Sequence, residues 1–193
     1  MSNISPDNKA IAQRIAKAFE GTPIVREYLH DNLPLKIAIA SMVDKPDVDV
    51  TSYGTIGLSD TALKWGDGEF MTRIELCAAA NSSISFFPNI VASAAFNIMR
   101  KKILCYPGSA MLNYVKEYYN DTQLPHLYFT SPFLWEDDLK SVELQTKTVS
   151  WLLCFPISQN EYNYLNENGD EKFETLLESS EVDIFDINRS SVC

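Results

Sequence analysis

The sequence predicts an α/β (α+β) fold in which helices cover a mixed β-sheet, all within one domain of residues 1–193. Three observations favour this fold. Strand-like runs and amphipathic helical segments are mixed without a strict βα alternation. Residues 149–155 are apolar apart from Ser150, as expected for a strand covered on both faces. The chain has 193 residues, of which 46% are hydrophobic, enough for one packed core.

The segment after this apolar run carries signals for two helices. Pro156 lacks an N–H and is expected to end the strand. Ser158 and Glu161 have the spacing of a capping box, which predicts a helix over residues 159–167 that stops at Gly169. Asp170 is the expected N-cap of a second helix, whose apolar face is made by Phe173, Leu176 and Leu177.

The first half of the chain supplies the remaining elements in order. Ser5 and Pro6 predict the start of a helix that runs to about residue 20 and packs on the domain. We expect a short helix over 24–29, strands over 36–43, 50–58 and 70–78, and a long helix from Pro88 to about 103. Residues 66–68 predict a tight hairpin turn, and Gly54 and Gly57 predict a bulge or a close backbone approach.

The second half continues with two strands and one ambiguous segment. Residues 111–119 fit either a strand or a helix, and residues 126–130 fit a strand. Residues 142–148 alternate in polarity and are expected to continue directly into the apolar run.

Charge is concentrated in one part of the sequence. The net charge is −10; residues 1–103 are balanced, with 11 acids and 11 bases, whereas residues 104–193 have 15 acids and 5 bases. Residues 158–187 contain nine acids and one base, a net charge of −8. We expect the outer faces of the two helices to form an acidic surface that repels nucleic acid and attracts a basic protein.

The candidate partner-binding residues follow from this charge map, together with a second acidic turn at 136–138. Trp65 and Trp135 lie beside charges, and each fits either an interface anchor or partial burial against the sheet. The candidate binding set comprises Glu167, Asp170, Glu171, Glu174, Glu178, Glu181, Asp183, Trp135, Glu136, Asp137 and Asp138.

The residue types that carry catalysis or bind metals are sparse. His30 and His126 are the only histidines, and the four cysteines are far apart, so no zinc site, other metal site or cofactor is predicted. Cys77 and Cys154 lie in apolar strand sequence and are expected to be buried thiols of a reducing compartment. Asp138-Leu139-Lys140 has a nuclease-like spacing but lacks a second carboxylate held by a strand. A non-enzymatic protein is the main prediction, with a metal-dependent hydrolase at Asp137 and Asp138 as the weakest alternative.

The start of the sequence bears on localisation. Residues 1–7 lack the basic and apolar regions of a secretory signal, and no apolar run approaches the ~20 residues of a membrane helix. The expected location is the cytoplasm.

Several blocks resemble the Suppressor-of-fused (SUFU) domain family over about residues 35–190. These blocks are YGTIGLS (53–59), RIEL (73–76), FPNI (87–90), WLLCFPIS (151–158) followed by Glu161, and DINRS (186–190). The resemblance implies an α/β sandwich around a mixed sheet and a role in binding another protein. Animal members have a second domain for which this chain has no room.

Short stand-alone bacterial members of this family, of the YqcF type, act as antitoxins or immunity proteins. The resemblance therefore implies a partner that is a cognate LXG-class toxin with a basic nuclease domain, and no direct nucleic-acid or membrane partner. The alternative is a non-catalytic scaffold that binds a peptide strand of a regulatory protein along an exposed sheet edge.

Overall fold

An eight-stranded mixed sheet forms the centre of the molecule. The computed structural model describes residues 4–135 and 137–193, apart from the side chain of Trp65. The strands of this sheet are β1 (Ile24–Leu29), β2 (Lys36–Val43), β3 (Val50–Ile56), β6 (Thr72–Asn81), β7 (Ala110–Met111), β8 (His126–Thr130), β9 (Val142–Glu143) and β10 (Thr148–Ile157), while β4 (Lys64–Trp65) and β5 (Gly68–Glu69) form a separate hairpin. The strand order is β1-β2-β3-β6-β10-β8-β7, and β9 also pairs with β10.

The central strand β10 is covered on both faces, as the apolar run predicts. It pairs in parallel with β6 and antiparallel with β8, so the sheet is mixed. Leu152 and Cys154 face one hydrophobic cluster, whereas Trp151, Leu153 and Phe155 face the other. This alternation explains why neither face of the strand carries charge.

Four α-helices in the described part of the chain supply the two covering layers. They are α1 (Pro6–Ala18), α2 (Phe87–Lys101), α3 (Gln159–Asn168) and α4 (Asp170–Ser179). The buried apolar residues of α2 belong to one cluster, and those of α1, α3 and α4 belong to the other. None of the described helices is both long and apolar enough to cross a bilayer.

Local signals are confirmed at several helix ends and turns. Ser5 caps α1 by accepting from the Asn8 N–H, and Ser158 and Glu161 form the complete capping box of α3. Gly169 has φ +87° at the junction between α3 and α4. Cys77 and Cys154 are buried free thiols, and burial raises the pKa of both.

Gly54 confirms a close approach rather than a bulge. It pairs with Ala40 on β2 and Cys77 on β6, and a Cβ at this position would lie 3.0 Å from Cδ1 of Ile15. The glycine thus lets α1 lie close to the middle of the sheet.

The predicted helix over residues 24–29 is wrong. This segment is β1, an edge strand paired antiparallel with β2 from Ile24↔Ser41 to Leu29↔Lys36. Pairing with a neighbouring strand overrides the weak local helical pattern, and Ile24, Val25 and Tyr28 are residue types favoured in strands.

The predicted strand end at Pro156 is also wrong, because β10 continues to Ile157. Pairing of β10 with β6 stops at Leu153, so the side of Pro156 that faces away from β8 has no neighbouring strand. On that side the Pro156 carbonyl accepts a hydrogen bond from Arg189. A proline is tolerated there because no strand needs its N–H.

Three smaller expectations need correction. Residues 142–148 do not continue straight into β10; β9 ends at Glu143 and folds back onto β10 at Thr148. Residues 112–118 form turns, neither strand nor helix. Asp170 is the first residue of α4, and Gly169 occupies the N-cap position.

Candidate functional site

Helices α3 and α4 lie on a rigid base. Tyr162 and Leu165 of α3, and Phe173 and Leu177 of α4, pack into the cluster that contains Phe155 of β10. Phe173 and Leu177 of the predicted apolar face of α4 are confirmed, whereas Leu176 is only partly buried and lies outside this cluster. Apart from Glu161, the acidic residues of the two helices are thereby turned towards solvent.

Glu161 is not part of the acidic surface, although it is one of the nine acidic residues counted in residues 158–187. Its side chain is fully buried and forms an ion pair with Arg189, with Oε1 2.6 Å from Nη1. Glu161 also accepts hydrogen bonds from the N–H groups of Ser158 and Val192. It is a structural residue that ties the end of the chain to the start of α3.

Seven of the predicted acidic residues do form an exposed group. Among the residues that the structure describes, no ion pair neutralises any of these seven. They follow α3, α4 and the turn after α4, and they are Glu167, Asp170, Glu171, Glu174, Glu178, Glu181 and Asp183. We call this set the acidic face.

Two members of the acidic face are held in place by neighbouring groups. The Glu174 carboxylate accepts hydrogen bonds from the hydroxyls of Tyr128 and Thr130 on β8. Burial and this bond to Glu174 raise the pKa of Tyr128, so the phenol remains a donor. The Asp183 carboxylate accepts the Phe185 N–H at 2.9 Å. These contacts fix both charges relative to the sheet.

An apolar cleft of about 630 Å³ opens beside the acidic face. It lies between α4, the segment 182–185 and the short turn that holds Phe133 and Leu134. Its apolar lining consists of Phe133, Leu134, Phe155, Leu177, Val182, Ile184 and Phe185, and its polar lining of Thr130, Glu174, Glu178, Glu181 and Asp183.

The apolar half of this site was not predicted from the sequence. A usable signal lies in residues 181–184, where Glu181 and Asp183 alternate with Val182 and Ile184 in the period of an extended segment. No local sequence pattern predicts that Phe133 lines the cleft, because its position depends on where its turn packs.

Trp135, Asp137 and Asp138 do not extend the acidic face. Trp135 is buried, with its ring 5.0 Å from that of Phe19, so the interpretation as an exposed anchor is wrong. Asp138 forms an ion pair with Lys17 at 2.5 Å, and Asp137 forms one with Lys140 at 2.9 Å. These aspartates are already paired with cations, and Glu136 lies outside the described residues.

A second buried carboxylate, Glu75, organises the blocks at 53–59 and 73–76. It accepts hydrogen bonds from the Thr55 and Ser59 hydroxyls at 2.6 and 2.7 Å, and from the N–H groups of Gly57, Leu58 and Ser59. Burial raises the pKa of Glu75, and these hydrogen bonds offset part of the rise. In these two blocks, the residues that carry the family resemblance therefore have a structural role.

His126 and the 66–68 turn have structural contacts. Buried His126 accepts the Asn113 N–H at Nδ1, so its Nε2 donates to the Gln159 side chain 2.9 Å away. Gly66-Asp67-Gly68 spans the β4–β5 hairpin as a tight turn. Within the described residues, no three His, Cys, Asp or Glu side chains are placed to share a metal ion.

Comparison with known sequences decides the family. Residues 34–190 match the family described as Suppressor of fused protein (SUFU). The chain belongs to the SUFU family. It is also 39% identical over 189 residues to the immunity protein YqcF of Bacillus subtilis (strain 168), an alignment that covers 98% of each protein.

Solved SUFU structures share the fold at low sequence identity. A putative SUFU homologue from Neisseria gonorrhoeae FA 1090 aligns with a TM-score of 0.71, 17% identity and 96% of each chain. A chain of the Sufu–Fu complex aligns with a TM-score of 0.70 and 15% identity, over 97% of this chain and 92% of that one. Drosophila Suppressor of Fused aligns with a TM-score of 0.66 and 13% identity, over 98% of this chain and 54% of that protein. The predicted α/β fold with a mixed sheet is confirmed.

Proposed function

We propose that this chain is a cytoplasmic immunity protein, an antitoxin that binds and neutralises a cognate toxin of the LXG class with a basic nuclease domain. The 39% identity to immunity protein YqcF over 98% of both proteins supports the immunity role. The proposal treats residues 1–193 as one SUFU-like domain that acts by binding and not by catalysis.

The acidic face is the observation that carries the proposal. Its seven carboxylates are exposed, and among the described residues none has an ion-pair partner. Uncompensated charges of one sign repel each other and cost stability, so such a cluster is typical of a surface that meets an oppositely charged partner.

The mechanism follows from the substrate of a nuclease. An enzyme that cleaves nucleic acid binds a polyanion and therefore presents lysine and arginine side chains around its active site. Carboxylates held on the rigid helices α3 and α4 can occupy the positions of phosphates and exclude the substrate. Steering between opposite charges makes such an association fast and sensitive to salt.

Isothermal titration against the toxin encoded beside this gene tests the proposal. We expect a one-to-one complex that weakens as salt rises and that blocks cleavage of nucleic acid. The variant E167K/E178K/E181K should weaken binding by at least about 100-fold, because it reverses three charges on the acidic face. The matched control D31K/E117K/D121K makes the same charge change at exposed positions elsewhere and should bind nearly as well as wild type. Absence of binding by the wild type at low salt would reject the proposal.

The alternative, recognition of a peptide strand, is favoured by the edge strand β1. Ile24, Val25 and Leu29 of β1 are 60%, 53% and 69% exposed, and β1 lies at the end of the sheet. A strand added there would be held by main-chain hydrogen bonds and would depend little on salt. Binding that survives E167K/E178K/E181K but is lost on Val25→Pro would favour this alternative.

A further inference from the structure

Part of the apolar lining of the cleft is exposed to solvent. Phe133 on its wall is 53% exposed, although a large aromatic side chain gains free energy from burial. The floor is formed by Phe155 and Leu177, which belong to the core and are 2% and 7% exposed. The cleft is therefore a preformed depression that ends on rigid core side chains.

The wall opposite Phe133 is anchored by the chain itself. The Phe185 carbonyl accepts the Asn81 N–H at 3.0 Å, which attaches segment 182–185 to the end of β6. The Val182 N–H donates to the Leu177 carbonyl at 3.3 Å, which attaches the start of that segment to α4. The cleft thus has its shape before any partner arrives.

The rim of the cleft is negative around its opening. Glu174, Glu178, Glu181 and Asp183 all line it, and among the described residues no lysine or arginine does so. A second copy of this chain is a poor occupant, because each copy carries a net charge of −10. An uncharged apolar segment would bury these carboxylates without compensating them.

We propose that the cleft receives one large apolar side chain, aromatic or long aliphatic, from a basic segment of the partner. Arginine or lysine residues beside that anchor would then pair with Glu178, Glu181 and Asp183. This inference rests on the proposed function, because it names the chemistry with which the toxin engages the acidic face. In this inference the complex is held together by an anchor in the apolar cleft as well as by charge attraction.

A volume of about 630 Å³ is sufficient for such an anchor and parts of its neighbours, since sites for small ligands span roughly 300–1,000 Å³. Buried anchors in preformed pockets dominate the affinity of protein interfaces, while the charged rim mainly sets the association rate. Removal of the cleft wall should therefore raise the dissociation rate, whereas removal of rim charge should lower the association rate.

The first test compares two phenylalanines of nearly equal exposure. Phe133 is 53% exposed in the cleft, and Phe86 is 51% exposed beside Tyr118 and Tyr119. Phe133→Ala should weaken binding of the toxin encoded beside this gene by at least about tenfold through faster dissociation, and Phe86→Ala should leave it unchanged. Val182→Trp, which fills the cleft without removing a wall, should weaken binding similarly. Equal affinities for Phe133→Ala, Val182→Trp and wild type would overturn the inference.

The second test needs no toxin. Two peptides of equal length and charge, one alternating arginine with tryptophan and the other arginine with serine, are titrated while methyl NMR signals are recorded. The tryptophan peptide should bind at least about fivefold tighter and shift Leu177, Val182 and Ile184. Equal binding of both peptides would overturn the cleft inference and leave the immunity role intact. Selective cleft binding by the tryptophan peptide, with no binding of the toxin, would reject the immunity role and retain the cleft.

Discussion

The guanidinium of Arg189 donates two hydrogen bonds to the buried carboxylate of Glu161. Nη1 lies 2.6 Å from Oε1, and Nη2 lies 3.1 Å from Oε2. Nη2 also donates to the Pro156 carbonyl at the end of β10. One ion pair thus joins the central strand, the start of α3 and the C-terminal segment. Helix α3, which carries Glu167 of the acidic face, begins at this junction.

Breaking this ion pair from one side should strongly destabilise the protein. Arg189→Met leaves the Glu161 carboxylate buried without its cation and should lower the free energy of unfolding by about 3–5 kcal/mol. Urea denaturation measures the change. The control Lys36→Met breaks the exposed Lys36–Glu27 pair and should cost less than about 1 kcal/mol. A similar, small effect of both substitutions would show that the buried pair does not hold the C-terminal segment.

Replacing one carboxylate oxygen of Glu75 with nitrogen should lower the stability of the protein. Glu75→Gln replaces one acceptor oxygen with an NH₂ group that faces hydroxyl and N–H donors of the 55–59 segment. We expect a loss of about 1–3 kcal/mol in the free energy of unfolding. Glu117→Gln, at an exposed position, is the matched control and should change stability by less than about 0.5 kcal/mol. An unchanged denaturation midpoint for Glu75→Gln would refute the structural role of this carboxylate.

Gly54→Ala should overpack the contact between α1 and the sheet. The added Cβ would lie 3.0–3.2 Å from three atoms of Ile15, which is fully buried. A loss of about 1–3 kcal/mol is expected. Because Ile15→Val removes the nearest atom, Cδ1, the double variant should be more stable than the sum of the two single effects predicts. Additive effects in thermal or urea denaturation would mean that the strain lies elsewhere.

Asp7 should make stability depend on pH in the acid range. The Thr146 hydroxyl and the N–H groups of Gln145 and Thr146 donate to its carboxylate and hold the pKa of Asp7 below its ordinary value of 3.8. A lowered folded-state pKa stabilises the protein above the unfolded value, and this contribution is lost as the pH falls through the folded-state pKa. Asp7→Asn should therefore be less stable than wild type at neutral pH, and the two should converge below pH 3.8. A constant difference down to the acid limit would contradict this assignment.

Local sequence predicted the elements whose signals lie within a few residues. The capping box at Ser158, the stop at Gly169 and the doubly covered strand β10 all depend on neighbouring residues or on a short pattern, and all are confirmed. The exposed positions of Glu167, Asp170, Glu171, Glu174 and Glu178 follow from the helical period once the apolar residues are known.

The features that local sequence did not predict depend on distant partners. β1 is a strand because β2 pairs with it, and Pro156 is tolerated because no strand pairs with β10 on the side away from β8 at this position. Trp135 is buried because Phe19, the C-cap residue of α1, packs on it. Such contacts join residues that are far apart in the chain, so no local pattern contains them.

Hydrogen–deuterium exchange of the chain, with and without the nuclease domain of the toxin encoded beside its gene, tests the central claim most directly. Contact with the acidic face should slow exchange in α4 and in residues 181–185, and leave exchange in β1 unchanged. Protection confined to β1 and its neighbours, with α4 exchanging as in the free protein, would contradict an immunity mechanism based on the acidic face.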